Sequence, residues 1–244
     1  MPINRKLSFV IIACLTALAL PFSTRADSLK INVSATYWVL AENDQDTGPT
    51  KCCFTVTDMV LSELGPDGLP LVNPKYVANG DIKDVNNSGE ITWWSPAFNP
   101  NVSFLSGGTT SLPLASFEYP PSGNDLGGFL VAEFQGVFSL PSAAKITFTT
   151  ISDDDSLVYL DGKLALANGG VKNLATVSGT DSLSAGQHSL ALFYADRDPT
   201  GAFLRVSDSV SATPEPATLS LLGIGLLAIG TIAERRKRKT VLKL

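Results

Sequence analysis

From Lys30 to Val206 the chain is a series of short apolar stretches, each cut off by a cluster of Gly, Pro, Asn, Asp or Ser. Long apolar stripes of helical period are scarce, so the punctuation favours strands over helices. Residues 30–40 alternate and are rich in Val, Ile, Thr, Tyr and Trp. Residues 54–60, 91–94, 129–138, 145–151, 156–160, 188–195 and 202–206 follow the same style. β-Branched and aromatic side chains suit a pleated, half-buried surface. Between Leu157 and Leu166, Asp161-Gly162 splits two apolar runs, which is a hairpin signal, and Gly186-Gln187 marks another turn. Many short strands at this spacing predict an all-β fold, a sandwich or a closed barrel.

The two ends differ from this middle. Arg5 and Lys6 precede an uncharged apolar run from Leu7 to Phe22, and Thr24-Arg25-Ala26 places small residues at the −3 and −1 positions of a cleavage site. That order predicts a secretory signal peptide over residues 1–26, removed by signal peptidase. The run is shorter than the ~20 residues of a comfortable span, which disfavours the other reading, a retained anchor. At the far end, Ala217 to Ala233 gives 17 uncharged residues, and Arg235, Arg236, Lys237, Arg238 and Lys239 follow Glu234 at once. Such a run is at the short limit for a transmembrane helix. The basic cluster marks its cytoplasmic end, because Lys and Arg resist transfer across the bilayer. The expected layout is a signal peptide over 1–26, one exported domain over 27–212, and a tail over 213–244 with its membrane helix at about 217–233.

The 186 residues between the ends suffice for one domain with a sizeable core. They carry nine Lys and Arg against 21 Asp and Glu, a net of −12, where the whole chain carries −5. So acidic a domain argues against nucleic acid or an anionic membrane surface as partner, and it is compatible with calcium or neutral sugars. Once the signal is gone, only Cys52 and Cys53 remain. Adjacent Cα atoms sit closer than a bridged pair prefers. Free thiols, a vicinal bridge and crosslinks between chains all stay open, while one His and no further Cys argue against a metal site there.

Pro214-Glu215-Pro216, the glycine-punctuated apolar run and the Arg/Lys end resemble the PEP-CTERM sorting tail. Proteins of that family come from bacteria that make extracellular polysaccharide. The resemblance implies that an exosortase-type protease of the inner membrane cuts near Pro214-Glu215-Pro216 and passes the protein outward. A plain C-terminal anchor is the alternative.

A second resemblance spans roughly Thr55 to Val206. Phe148 to Leu164, with Ser152-Asp153-Asp154-Asp155 and Leu160-Asp161-Gly162-Lys163, closes at Gly169-Gly170. Leu183 to Val206 then carries Phe193-Tyr194-Ala195-Asp196-Arg197, and Leu64-Gly65-Pro66-Asp67-Gly68 lies upstream. In this order the segments are similar to the fibro-slime domain, a relative of the β-barrel module of anthrax protective antigen. The resemblance implies a single β-sandwich or barrel of the protective-antigen-like type. It places the chain among surface, matrix and adhesion proteins, with lectin-like relatives that bind sugars. In those relatives a pair of consecutive aspartates holds calcium, and the ion holds sugar hydroxyls. Asp153 and Asp154 fall on that pair, with Asp155 just beyond. The chain departs from the family at Ala167, at Lys172 and at Asp196-Arg197-Asp198, where an Asp, a His and Glu-Arg-His are usual, so the roles of those groups do not carry over. Arg197 is kept and is expected in an ion pair with a neighbouring Asp.

The chemistry of three consecutive carboxylates stands apart from any family. They repel unless a cation or a basic partner neutralises them. Calcium accepts about six to eight oxygens in irregular geometry and suits such a loop. A solvated acidic loop, or carboxylates capping loop amides, is the competing reading. Asp84 to Ile91 has oxygen side chains where a calcium loop begins, but Ser95 stands where the bidentate Glu belongs, and an Asn/Gly turn suits the stretch better. Trp93 and Trp94 are candidates for stacking on sugar rings, although one Trp in the core and one outside is the commoner arrangement. His188 is alone, beside a turn and without a nucleophile motif, and reads as a half-exposed strand residue. The sequence therefore predicts a non-enzymatic exported protein for adhesion or contact with matrix polysaccharide, with calcium the one cofactor to consider. A self-assembling matrix subunit is the alternative, and a glycoside-processing enzyme comes third.

Overall fold

The computed structural model describes residues 28–48, 55–114, 127–198 and 201–212, together with Gly223 and Gly225, and its first strand is β1, Ile31–Ala41. The signal segment 1–26, Cys52-Cys53, Pro214-Glu215-Pro216 and the Arg235–Lys239 cluster lie outside the described residues. After β1 come β2 (Val60–Leu64), β3 (Pro70–Val72), the short helix α1 (Pro74–Ala78), β4 (Val102–Leu112) and β5 (Gly128–Leu140). Then follow β6 (Ala144–Asp153), β7 (Asp155–Leu160), β8 (Lys163–Asn168), β9 (Ala175–Leu183), β10 (Gly186–Ala195) and β11 (Phe203–Ala212). The expected all-β character is present.

Eight strands form one sheet in the order β3-β2-β8-β7-β10-β5-β1-β4, and β11-β6-β9 form a second. The two pack in a sandwich-like arrangement. Ile31, Val33 and Ala35 of β1, Phe134 of β5, Val158 and Leu160 of β7 and Leu192 of β10 meet Ile146 and Phe148 of β6 in a core between the sheets. The opposite face of the large sheet is also covered at one end. There Trp38, Leu40, Val131, Leu157, Tyr159 and Phe193 pack against Met59, Tyr76, Ile82, Ile91 and both Trp93 and Trp94. Covered on both faces, β7 is buried at every residue, which is why Asp155–Leu160 shows no polar alternation.

Local chemistry accounts for the turns. Asp161 and Gly162 both take positive φ, 50° and 74°, as a tight hairpin between twisted strands requires. Asn73 caps α1 by accepting from Lys75 N, with Pro74 in the first turn, where its missing N–H has no cost. Two strands escape the apolar-run pattern: β4, with Gly107-Gly108 and five Ser/Thr, and β9, with four Ser/Thr and Gly179. Both lie at sheet edges, where a strand buries little and tolerates polar residues. Residues 91–94 are not a strand; Ile91 makes an isolated bridge to Val85, and the chain then turns.

Ala212–Leu244 form a separate unit, in which Gly223 and Gly225 are helical. The expected membrane helix at 217–233 falls almost wholly outside the described residues, and no described helix is long and apolar enough to cross a membrane.

Candidate functional site

The ends of β1, β8 and β10 and the start of β7 lie at one end of the large sheet, as the registers of β10 with β7 and of β7 with β8 require. Two groups of aspartates gather there. The first is the expected trio. The peptide between Asp153 and Asp154 is cis. Asp153 is 8% exposed, and Asp154 and Asp155 are fully buried. Asp154 Oδ1 accepts from the backbone N–H of Lys172 at 2.6 Å, and its Oδ2 accepts from that of Arg197 at 2.8 Å. Asp155 Oδ1 accepts from Gly170 N at 2.5 Å, in a turn that gives Gly170 a φ of 98°. Its Oδ2 accepts from Arg197 Nε at 2.7 Å. Arg197 is itself buried, so the ion pair expected from the sequence is present and enclosed.

Lys172 completes the trio. Its side chain is 5% exposed, and its ammonium donates to the carbonyl oxygens of Asp154, of Asn168 at 3.3 Å and of Gly170 at 3.2 Å. Burial lowers the Lys172 pKa, against the pull of Asp155 and Asp154. Burial and the charge of Asp155 push the Asp154 carboxyl up to about 7, with the two backbone N–H groups pulling the other way. The residues present do not fit a calcium ion at this place. Every carboxylate oxygen of Asp154 and Asp155 is taken by an N–H group, and an ammonium stands on the carbonyl oxygens that a metal would use. The chain supplies its own cations, Lys172 and Arg197.

The second group was not anticipated as a group. Asp44 and Asp46 follow β1, and Asp84 lies in the segment before Ile91; all three are buried. Asp46 is spent on the fold: its carboxylate accepts from Lys83 N at 2.8 Å, from Asp84 N at 2.9 Å and from Trp93 Nε1 at 3.0 Å. Asp44 and Asp84 face each other within hydrogen-bonding reach. Asp44 accepts from Asn99 and Asn101, and Asp84 Oδ1 from Gln45 at 2.5 Å. Burial, then Asp44, raise the Asp84 carboxyl to about 8. Arg197 lies between the two groups, with Nη1 donating to the Asp46 carbonyl oxygen and the guanidinium over the Trp93 ring, 4.3 Å from its centre.

Trp93 and Trp94 are corrected by this geometry. Neither offers a face to a sugar: they are 0% and 2% exposed, packed on each other at 5.4 Å, with Trp94 on Phe193 at 5.1 Å. Trp94 Nε1 donates to the Tyr194 carbonyl, so both indoles are core residues with their polar atoms satisfied. The loop from Asp84 turns through Asn86, whose Oδ1 accepts from Ser88 N and Glu90 N, as an Asn/Gly turn does. His188 is buried and not half-exposed. Asp161 holds its Nδ1 at 2.7 Å and the Ser184 carbonyl its Nε2 at 3.0 Å, so neither ring nitrogen is left for a nucleophile.

Residues 212–237 match the PEP-CTERM protein-sorting motif. The motif implies an exported protein anchored in the membrane through its C-terminal tail and processed by an exosortase-type enzyme. No curated protein matches the chain. Among solved structures, an anti-sigma factor domain-containing protein superposes with a TM-score of 0.37 and 16% identity, over 46% of this chain and 38% of that one. The PA14 sugar-binding domain from an RTX adhesin gives 0.36 and 13%, over 73% and 89%. An epithelial adhesin A domain from Candida glabrata, in complex with beta-lactose, gives 0.38 and 11%, over 76% and 86%. The chain thus spans well under half the first of these proteins, and overlaps this loose assign no residue a role.

Proposed function

We propose that the chain is an exported cell-surface or extracellular-matrix protein whose β-domain, of the fibro-slime and protective-antigen-like type, works without catalysis in adhesion or contact with matrix polysaccharide. Signal peptidase releases the leader, the inner membrane holds the tail, and an exosortase-type protease then frees the domain. The observation that carries this reading is the sorting motif, which begins where β11 ends at Ala212. The occupied ring nitrogens of His188 speak against a histidine-activated nucleophile. The test is to express the full chain with and without an exosortase-type protease, then fractionate the cells and bind the released domain to extracellular polysaccharide. A Pro214→Ala/Glu215→Ala variant should stay uncut in the inner membrane. Wild-type protein that also stays uncut in the protease-bearing host would remove the reading.

The structural-subunit alternative has one observation in its favour. Among the described residues β4 has a single neighbour, β1, and Phe104 on it is 65% exposed. An unpaired edge can take a strand from a second copy. Assembly that rises with protein concentration in the absence of glycan, and falls in Phe104→Lys, would favour it.

A further inference from the structure

The face of the large sheet turned away from β11-β6-β9 is covered only in part by the described residues. Residues 55–102 lie over Trp38, Val131 and Phe193 at one end. Beyond them Asn32, Ser34, Gln135, Val137 and Ser189 are exposed around a shallow hollow of about 450 Å³. Ala191, small and next to Gln135 in the register, helps to form its floor. None of the residues lining the hollow is charged. Towards the covered end, Phe104 of β4 pairs with Trp38 and is well exposed. A methyl group at Gly107 would touch its ring, 3.9 Å from Cζ, so the ring lies along the strand and the glycine keeps it open. Trp38 and Ser34 are four positions apart on β1, so the ring and the hollow are about 13 Å apart along the strands. Between them Glu133 is half-buried and accepts from Gln135 Nε2 at 2.5 Å, which fixes the Gln135 amide on this face.

We infer that this open face binds a neutral polysaccharide chain, with Phe104 stacked on one sugar ring and Gln135, Ser34, Asn32 and Ser189 meeting hydroxyls of the sugars that follow. Such a site presupposes the proposed contact with matrix polysaccharide and gives it a surface. A sugar ring offers C–H groups on its faces and, around its rim, hydroxyls that donate and accept. An exposed aromatic ring suits the first, and side-chain amides and hydroxyls suit the second. Ser34 already donates to the Gln135 carbonyl at 3.2 Å and still has an oxygen that can accept. Charge selects among sugars: the exported stretch carries a net −12, and the hollow has no Lys or Arg to draw in an anionic polymer. An extended peptide fits less well, because it joins a sheet through backbone groups at an edge, and β1, β5 and β10 each have a strand on both sides. The spacing favours a chain, since one sugar cannot touch both the Phe104 ring and the hollow. The outer side of the small sheet also carries hydroxyls. There Thr147 is paired with Thr180 at 2.8 Å and Thr149 with Ser178 at 2.7 Å, and neither β6 nor β9 has an amide side chain beside them.

The test is calorimetric titration of the full-length chain, held in a detergent without a sugar headgroup. The probes are neutral glucan, mannan and galactan tetrasaccharides and the matching monosaccharides. The expected result is that at least one tetrasaccharide binds, about tenfold or more tighter than its monosaccharide. Phe104→Ala should weaken that binding about tenfold, and Gln135→Ala about threefold to tenfold. Both side chains are exposed, so neither change disturbs the core. Leu174→Ala removes an exposed apolar side chain at the approach to β9, away from this face, and should leave binding unchanged. Wild-type binding that survives both Phe104→Ala and Gln135→Ala, or that only Asp154→Asn removes, puts the sugar elsewhere. That result overturns the inference and leaves the proposed function standing. No binding of any probe up to about 10 mM also overturns it, and the proposed function then rests on the cleavage and polysaccharide assays alone. Self-association that Phe104→Ala abolishes, in a chain that binds no probe, gives the face to a second copy and overturns the inference as well.

Discussion

The two aspartate clusters lie at the same end of the sheet and touch the same arginine, yet they meet burial in opposite ways. Around Asp154 and Asp155 the chain brings two cations and turns four N–H groups onto four carboxylate oxygens. Around Asp44 and Asp84 it brings side-chain amides, and the two carboxyl groups meet each other across a retained proton. Adjacent aspartates are therefore no guide to metal binding by themselves; what decides is whether the surrounding backbone and side chains have already closed the charge balance. The first cluster is held by cations, and the second by a proton.

Removing Arg197 breaks the comparison most severely, because it serves both clusters. Arg197→Ala leaves Asp155 buried without its ion-pair partner and exposes one face of Trp93. Breaking one side of a buried pair costs about 3–5 kcal/mol, so urea unfolding should show a loss of that order. A loss under about 1 kcal/mol would mean that the pair is solvated and that its cation does not hold the cluster.

Lys172→Met separates the clusters. It strands the carbonyls of Asp154, Asn168 and Gly170, and an unsatisfied buried acceptor costs about 1–3 kcal/mol. The loss should be equal in calcium and in chelator, since the first cluster is neutralised by the chain. A wild-type melting temperature that rises in calcium and no longer does so in Asp154→Asn would return the metal to Asp153–Asp155.

Asp84→Asn should behave in the reverse sense. With its carboxyl raised to about 8 by burial and by Asp44, the folded chain holds this proton more tightly than the unfolded chain does. That preference stabilises the fold at low pH and is lost as pH rises from about 4 towards 8. In chelator, wild-type stability should fall across that window and Asp84→Asn should flatten the fall. Parallel pH curves for wild type and variant in chelator would show that Asp84 is ionised throughout.

These contrasts mark what the residues alone reveal. Asp161-Gly162 was legible because a tight turn needs positive φ at both positions, a local demand. The Arg197 ion pair was legible from a kept arginine in an acidic neighbourhood. The burial of Trp93 and Trp94 was not, because period-2 alternation says which side a residue faces and not whether a loop later covers that side. Residues 55–102 cover it here. Lys172 drew notice only as a departure from a family pattern, although it lies within reach of the trio's backbone. The pairing of Asp44 with Asp84 joins positions far apart in the chain, and nothing local to either announces it. The sorting tail needed no fold at all, since its signal is order along the chain.

The smallest expected effect belongs to His188, which lies at the turn end of β7 and β10, outside both clusters. The hydrogen bond to Asp161 raises its pKa, with burial opposing. A raised histidine contributes stability that is present below about pH 6.5 and is lost as pH climbs through the folded value. Asp161 is 44% exposed in its side chain, so the pair contributes under about 1 kcal/mol. The sign is the same as for Asp84, so the upper part of a wild-type pH curve mixes the two. His188→Gln removes the histidine's share and leaves that of Asp84. The fall that remains in His188→Gln between about pH 4 and 8 should then be the Asp84 share alone. A pH curve unchanged in His188→Gln would mean that the solvated Asp161 pair contributes nothing, and that the whole fall belongs to the Asp44–Asp84 pair.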